Sequence, residues 1–301
     1  MSKKVIALGT FDGLHRGHRR ILEVMERTAE ELGLEKAVYT FSNHPLEAFG
    51  AAPGRLMTDE ERLNELGRHG RVIAERFDMA LASTPPEEFA RRMAGEQGMA
   101  VAVAGFNYTF GSRGSGNMQI LREYGAKYGF EVLEIPPLEY GDEPISSTRI
   151  RSAIEAGDMA SANQMLGRAY SLTGPVIANK GIGRRIGFPT ANVLPYGGLV
   201  LPKSGVYACY VLLKGRRYGA VTNIGSNPTV HGESITIEPH ILDFSEGIYG
   251  EILTVEFLEF LREEIEFPSV EELSAQIGRD AKKTAEILNK KGLQQGMPVV
   301  K

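Results

Sequence analysis

Val5–Leu8 is a short apolar run that stops at Gly9, after which apolar residues recur at Ile21, Leu22, Met25, Ala29 and Leu32. The first spacing is that of a buried strand. The second is that of an amphipathic helix, closed by Gly33. Ala37–Phe41 reads as the next strand. Thr58 followed by Asp59, Glu60 and Glu61 marks a helix start, with a capping hydroxyl and then acids favoured by the helix dipole. Pro85-Pro86 opens another helix, since proline suits the first turn. Met99–Ala104 is strand-like, Asn117–Tyr128 helical and Phe130–Ile135 strand-like. Strands alternating with helices predict βαβ units on a parallel sheet.

The periodicity changes after about residue 165. Gly205–Leu213, Arg217–Ile224, Ser234–Asp243 and Leu253–Leu261 are rich in Val, Ile, Tyr and Thr, and turn residues separate them. This predicts an antiparallel barrel or sandwich. A last helix follows, with Ser269 as its cap and Leu273, Ile277, Ala281, Ala285 and Leu288 as its stripe. Two short helices, Thr148–Ala156 and Met159–Leu166, lie between the halves. A boundary there gives domains of residues 1–158 and 159–301, as the 301-residue length suggests at roughly 150 residues per domain.

Composition narrows the function classes. With 42% hydrophobic and 24% charged residues the chain is an ordinary globular one, not a disordered one. A net charge of −4 argues against a nucleic-acid partner. A single cysteine, Cys209, excludes an internal disulfide and a Cys-based zinc site. Val5–Leu8 is too short for a signal-peptide core, and no apolar run approaches the roughly 20 residues that span a bilayer. A cytoplasmic protein with no membrane partner is expected.

The sharpest local signal is Gly9-Thr10-Phe11-Asp12-Gly13-Leu14-His15-Arg16-Gly17-His18, between the first strand and the first helix. Such a loop sits where open α/β sheets bind ligands. Gly9, Gly13 and Gly17 allow close approach of a phosphate chain, and the helix start offers unpaired N–H groups. His15 and His18, three apart, face one point and can donate to phosphate oxygens in a transition state. No P-loop lysine is present, which excludes a P-loop kinase at this loop. Ile145-Ser146-Ser147-Thr148-Arg149-Ile150-Arg151 adds three hydroxyls and two arginines at a helix start, a set suited to a polyphosphate. The loop at residues 105–116 interleaves aromatic residues with glycines, which suits stacking on a planar ring.

In the second half, Gly181 to Gly187 combines glycines with Arg184 and Arg185, as a loop over phosphates would. Thr190 and Asn192 supply neutral oxygens two residues apart, so in an extended segment both point one way and suit Mg²⁺. Glu238 lies in a strand-like run where an acid is costly to bury, which makes it a candidate base for an attacking hydroxyl.

The histidine loop and the Ser146–Arg151 helix start, in this order, resemble the ATP-holding motifs of the nucleotidylyltransferase superfamily. Thr40-Phe41-Ser42-Asn43-His44-Pro45 and Gly105-Phe106-Asn107-Tyr108-Thr109-Phe110-Gly111 extend the likeness to the adenylyltransferase module of the bacterial bifunctional riboflavin kinase/FAD synthetase family. Asn43 stands where that family commonly has proline. Gly187 to Asn192, Asn223 to Thr229 and Glu238-Pro239-His240 resemble the family's riboflavin kinase module, and Asn179 departs from a frequent glycine.

The resemblance implies a Rossmann-like nucleotidylyltransferase domain followed by an antiparallel β-barrel. It implies catalytic roles for His15, His18, Arg151 and Glu238. ATP would be bound by Gly9, Phe11, Gly17, Ser146, Ser147, Thr148, Gly183 and Arg184. His44, Asn107 and Phe110 would line a flavin site, and Thr190 and Asn192 would hold Mg²⁺. Riboflavin, FMN and ATP are then the expected substrates, converted to FMN with release of ADP and then to FAD with release of pyrophosphate. Two alternatives stay open: a nucleotidylyltransferase for another phosphorylated small molecule with a degenerate barrel, and a flavin-binding protein without turnover.

Overall fold

β1 (Lys4–Leu8) is apolar from Val5 onward because both its faces are covered. The computed structural model describes residues 2–177, 188–229 and 232–295. β1 pairs in parallel with β2 (Glu35–Phe41) on one side and β4 (Met99–Gly105) on the other. With β3 (Arg71–Glu75) and β5 (Glu131–Ile135) they form a sheet in the order β3-β2-β1-β4-β5. Successive side chains leave opposite faces of a strand. Val5 and Ala7 therefore meet Leu22 and Met25 of α1 (Arg16–Leu32), joined by Val38, Val101 and Val103. Ile6 and Leu8 join Ala102, Ala104 and Tyr39 on the other face, against Phe89 and Met93 of α4 (Pro86–Gly95) and Leu121 of α5 (Met118–Tyr128). Truncating a fully buried side chain such as Leu22 to alanine costs about 2–5 kcal/mol.

The caps follow the sequence. Gly33 closes α1 with φ 64°. Thr58 opens α2 (Asp59–Gly67) with a reciprocal capping box, its hydroxyl accepting from the Glu61 N–H while Glu61 accepts from the Thr58 N–H. Asn117 caps α5. A one-turn helix, α3 (Met79–Ala82), follows the edge strand β3, whose ends are charged and which carries too few apolar residues to stand out by alternation. A small hairpin, β6 (Glu139–Tyr140) and β7 (Glu143–Pro144), leads to α6 (Ser147–Glu155) and α7 (Met159–Leu166).

The second half is a barrel, not an open sandwich. Among the described residues β8 (Tyr170–Ile177), β9 (Asn192–Val193), β10 (Gly205–Leu213), β11 (Arg216–Thr229), β12 (Gly232–Ile241) and β13 (Ile252–Arg262) close in the order β10-β11-β12-β9-β8-β13, all antiparallel. Leu172, Tyr207, Val255 and Phe257 are among its fully buried residues. β8 and β9 do not stand out in the sequence, since β9 is two residues long and β8 contains Gly174 and Pro175. α8 (Val270–Gln295) is tied to the barrel by the Arg262 guanidinium, which donates to both oxygens of the buried Asp280 carboxylate; within the helix, Gln276 donates to the same carboxylate (2.9 Å) and holds it in place. The chain divides into two compact units, residues 1–149 and 150–301, so the division falls inside α6.

Two candidate active sites

The order of the first sheet reverses between β1 and β4, and ligands of such sheets gather at the carboxyl ends of the strands beside the reversal. The two glycine-rich loops leave β1 and β4 there. In the first, Phe11 and Leu14 hold left-handed conformations (φ 57° and 46°) that cost about 1–3 kcal/mol each, and their fully buried side chains keep them in place. Between them Gly13 has φ 78°, and a Cβ would lie 2.7 Å from the Leu56 side chain. The Asp12 carboxylate accepts from the Leu56 N–H, and the Ser147 hydroxyl donates to the Asp12 carbonyl, both at 3.0 Å. The loop is therefore fixed at its centre. Gly9 is hemmed in by the Phe11 ring, 3.1 Å from the place of a Cβ.

His15 caps α1: its Nδ1 accepts from the His18 N–H (3.3 Å). In a neutral imidazole this puts the proton on Nε2. The His15 and His18 rings stack with centroids 3.6 Å apart, and the edge of Phe11 lies against His18. Burial lowers the His15 pKa to about 4. Burial, and then the neighbouring His15, hold His18 well below its usual value. Both rings are neutral at pH 7, each with one N–H to donate. The buried His18 Nδ1 has no hydrogen-bond partner among the described residues. Gly17 leaves the His15 ring its room, since a Cβ there would lie 3.1 Å from it.

The helix start at Ser146 divides its labour. Ser146 accepts from the Arg149 N–H (3.2 Å), Ser147 holds Asp12, and Thr148 is exposed. Arg149, one of the two arginines expected at a polyphosphate, is engaged elsewhere. Its guanidinium donates to the carbonyls of Tyr140 and Glu143 and pairs with the Glu143 carboxylate, fastening the β6–β7 hairpin. Arg151 lies one helical turn beyond Ser147 and is partly buried.

In the loop after β4, Asn107 is exposed, whereas Phe110 is a core residue. Its ring packs on Phe89 (5.3 Å) and Tyr108 (5.9 Å), and its backbone pairs both ways with Gly116. Phe110 thus shapes the loop from beneath and offers no open face for stacking. His44 caps the turn Pro45–Phe49, its Nδ1 accepting from the Leu46 N–H (3.2 Å). Asn43 makes a reciprocal amide pair with the Phe77 backbone (2.8 and 3.0 Å), which seats the Phe77 ring against Phe41.

Sequence reasoning passed over Arg62. It is 3% exposed, and its guanidinium donates to the carbonyls of Thr10 and Phe41, the hydroxyl of Thr40 and the carboxylate of Asp59. The available signal was its place four residues before Leu66, on the buried stripe of α2.

On the barrel, Glu238 faces outward. Ile237 and Ile241 point into the core, so Thr236, Glu238 and His240 share the other side of β12. The acid is partly buried on that face rather than inside the barrel. Burial raises its pKa above the usual carboxylate value, a hydrogen bond with Thr236 opposes this, and the Glu264 carboxylate adds to it. Glu238 pairs across the ladder with Asn223, whose amide donates to Glu264 (3.1 Å). The segment ending at Asn192 is stitched to the same strand. The Ala191 N–H donates to the Pro239 carbonyl (2.9 Å), and His240 Nδ1 donates to the Pro189 carbonyl (3.0 Å). Thr190 is exposed and Asn192 buried. Gly183 and Arg184 lie outside the described residues. No cluster of three His, Cys, Asp or Glu among the described residues could hold a metal. Thr190 and Asn192 offer neutral oxygens, the donor type that Mg²⁺ accepts beside substrate phosphates.

Comparison with known proteins agrees with the two-unit architecture. Residues 1–149 match the FAD synthetase family model and residues 166–288 the riboflavin kinase model. The chain is 36% identical over 288 residues to the bifunctional riboflavin kinase/FMN adenylyltransferase of Bacillus subtilis, covering 93% of this chain and 90% of that one. It is 35% identical over 290 residues to the protein of the same name from Haemophilus influenzae, covering 94% of each. A crystal structure described as a macrolide-efflux protein from Streptococcus pneumoniae superposes with a TM-score of 0.88 at 33% identity, over 94% of both chains. No helix among the described residues is long and apolar enough to cross a membrane. With likeness of this extent running through both halves, the chain belongs to the bifunctional riboflavin kinase/FMN adenylyltransferase family.

Proposed function

We propose that the barrel module transfers the γ-phosphate of ATP to the ribityl 5′-hydroxyl of riboflavin, giving FMN and ADP, and that the sheet module joins FMN to the AMP portion of a second ATP, giving FAD and pyrophosphate. In the barrel, Glu238 takes the hydroxyl proton. A carboxylate with a raised pKa is better matched to proton transfer near neutrality than an ordinary one. Thr190 and Asn192 would hold Mg²⁺, which when bound would neutralise phosphate charge, and Gly183 and Arg184 would bind the same ATP.

In the sheet module the attacking FMN phosphate is already an anion, so no general base is required. His15 and His18 each donate one N–H to the transferring and leaving phosphates, and Arg151 adds positive charge. Gly9, Phe11, Gly17 and the hydroxyls of Ser146, Ser147 and Thr148 shape the ATP site. His44 and Asn107 contact the flavin, and Phe110 supports that contact from the core. ATP supply places both reactions in the cytoplasm.

The observation that carries this reading is the stacked, neutral imidazole pair at the carboxyl end of β1. The test is to incubate the protein with riboflavin, ATP and Mg²⁺ and separate the flavins by chromatography. FMN followed by FAD is expected, with ADP and pyrophosphate released. Flavin that is bound but unchanged would refute the reading.

A further inference from the structure

Two segments of the first unit that the proposed reaction uses are joined by a run of charge-assisted hydrogen bonds that ends in one ion pair. At one end, Arg62 Nη1 donates to the carbonyl of Thr10 (3.1 Å), next to Phe11, and to the hydroxyl of Thr40 (2.9 Å), which itself donates to the same carbonyl (3.2 Å). Arg62 Nη2 donates to the Phe41 carbonyl (2.7 Å) and to one oxygen of Asp59 (2.8 Å). The other oxygen of Asp59 is held by Arg55, and Arg55 reaches Glu47 (3.5 Å) in the turn that His44 caps. Each carboxylate oxygen of Asp59 thus serves a different guanidinium.

A buried guanidinium is costly unless its charge and donors are met, and apolar packing would serve the fold alone at least as well. What this arrangement adds is direction. The Arg62 fork spreads its two terminal nitrogens over acceptors of both β-strand ends and Asp59 passes the link to Arg55, so a shift of the loop carrying the histidines is coupled to the turn carrying His44.

We infer that Arg62 and Arg55, bridged by Asp59, are positioning residues for adenylyl transfer: they hold the nucleotide loop and the His44 turn in one register, so that the FMN phosphate meets the α-phosphate of ATP in line. The inference rests on the proposed adenylyl transfer. Neither arginine touches a reacting atom; the effect is on alignment, where a shift of about 1 Å costs about 100-fold in rate.

Arg55→Gln tests this with little risk to folding, because Arg55 is at the surface end of the run, with a quarter of its side chain exposed. FAD formation from FMN and ATP is expected to lose about 10-fold in kcat with KM for either substrate within about threefold, because alignment and not binding is disturbed. FMN formation from riboflavin by the same sample stays at the unsubstituted rate. Arg62→Lys keeps the charge but loses the fork and falls further. The double variant is no slower than Arg62→Lys, since the two act in series. FAD formation within about twofold of the unsubstituted rate in Arg55→Gln, or losses that multiply in the double variant, would overturn the inference. An unsubstituted chain that makes FMN but no FAD would instead refute the adenylyl-transfer reading beneath it.

Discussion

Desolvation keeps His15 neutral and Glu238 protonated over a wider pH range than either group shows in water. The consequences have opposite signs. His15 titrates near 6.5 in the unfolded chain and near 4 in the folded one, so the unfolded chain takes up its proton first as pH falls. Its contribution to stability is present above about 6.5 and is lost on acidification through about 4. Denaturant unfolding of the first unit at a series of pH values is expected to show that loss, and His15→Gln to flatten it. Glu238 lies on the other side of its ordinary value. The acid limb of FMN formation is expected above the ordinary carboxylate range, and Glu264→Gln to move it to lower pH by removing a neighbouring charge. An unmoved limb in that variant would show that Glu264 does not act on Glu238. Both histidines and Glu238 are legible in the sequence because their residue types are conspicuous in a glycine loop and in a strand. Arg62 is not, because an arginine on a helix stripe is indistinguishable from a solvated one until its acceptors fold around it.

At the scale of elements, what the sequence discloses depends on whether an element carries its own signal. α1 shows its stripe and its glycine stop, and α2 its capping box, so both are readable from spacing alone. Thr58→Ala is expected to cost about 1 kcal/mol in the unfolding of the first unit, since the Thr58 hydroxyl both accepts from the Glu61 N–H and donates to the Glu61 carboxylate. β3, β8 and β9 lack such a signal: their pairing comes from neighbours distant in sequence, and two residues of β9 cannot show alternation. The loop after β4 shows a further limit. Glycines among aromatic residues suggest an exposed platform, but Phe110 belongs to the core because Phe89 and Gly116 leave it no room outside.

Across the whole molecule, His15 and His18 of the proposed adenylyl-transfer site fall in the first unit and Glu238 of the proposed kinase site in the second. His18→Ala is therefore expected to abolish FAD formation and spare FMN formation. Glu238→Gln is expected to abolish FMN formation while FAD is still made when FMN is supplied. Equal loss of both rates in either variant would contradict that separation. The number and class of the two folds are legible from the change in hydrophobic period near residue 165. Barrel closure is not, because it depends on strands that the period does not reveal.

The closure of that barrel also bears on how the protein avoids sticking to itself. A ring of strands has no margin onto which a foreign strand could zip, so the second unit is protected by its topology. The first sheet does have margins, and they are β3 and β5. Arg71 and Glu75 bracket one, and Glu131 and Glu134 punctuate the other, charges that a stacked neighbour would have to strip of water. Resistance to fibril-like association therefore rests on charged edge strands in one half of the chain and on geometry in the other.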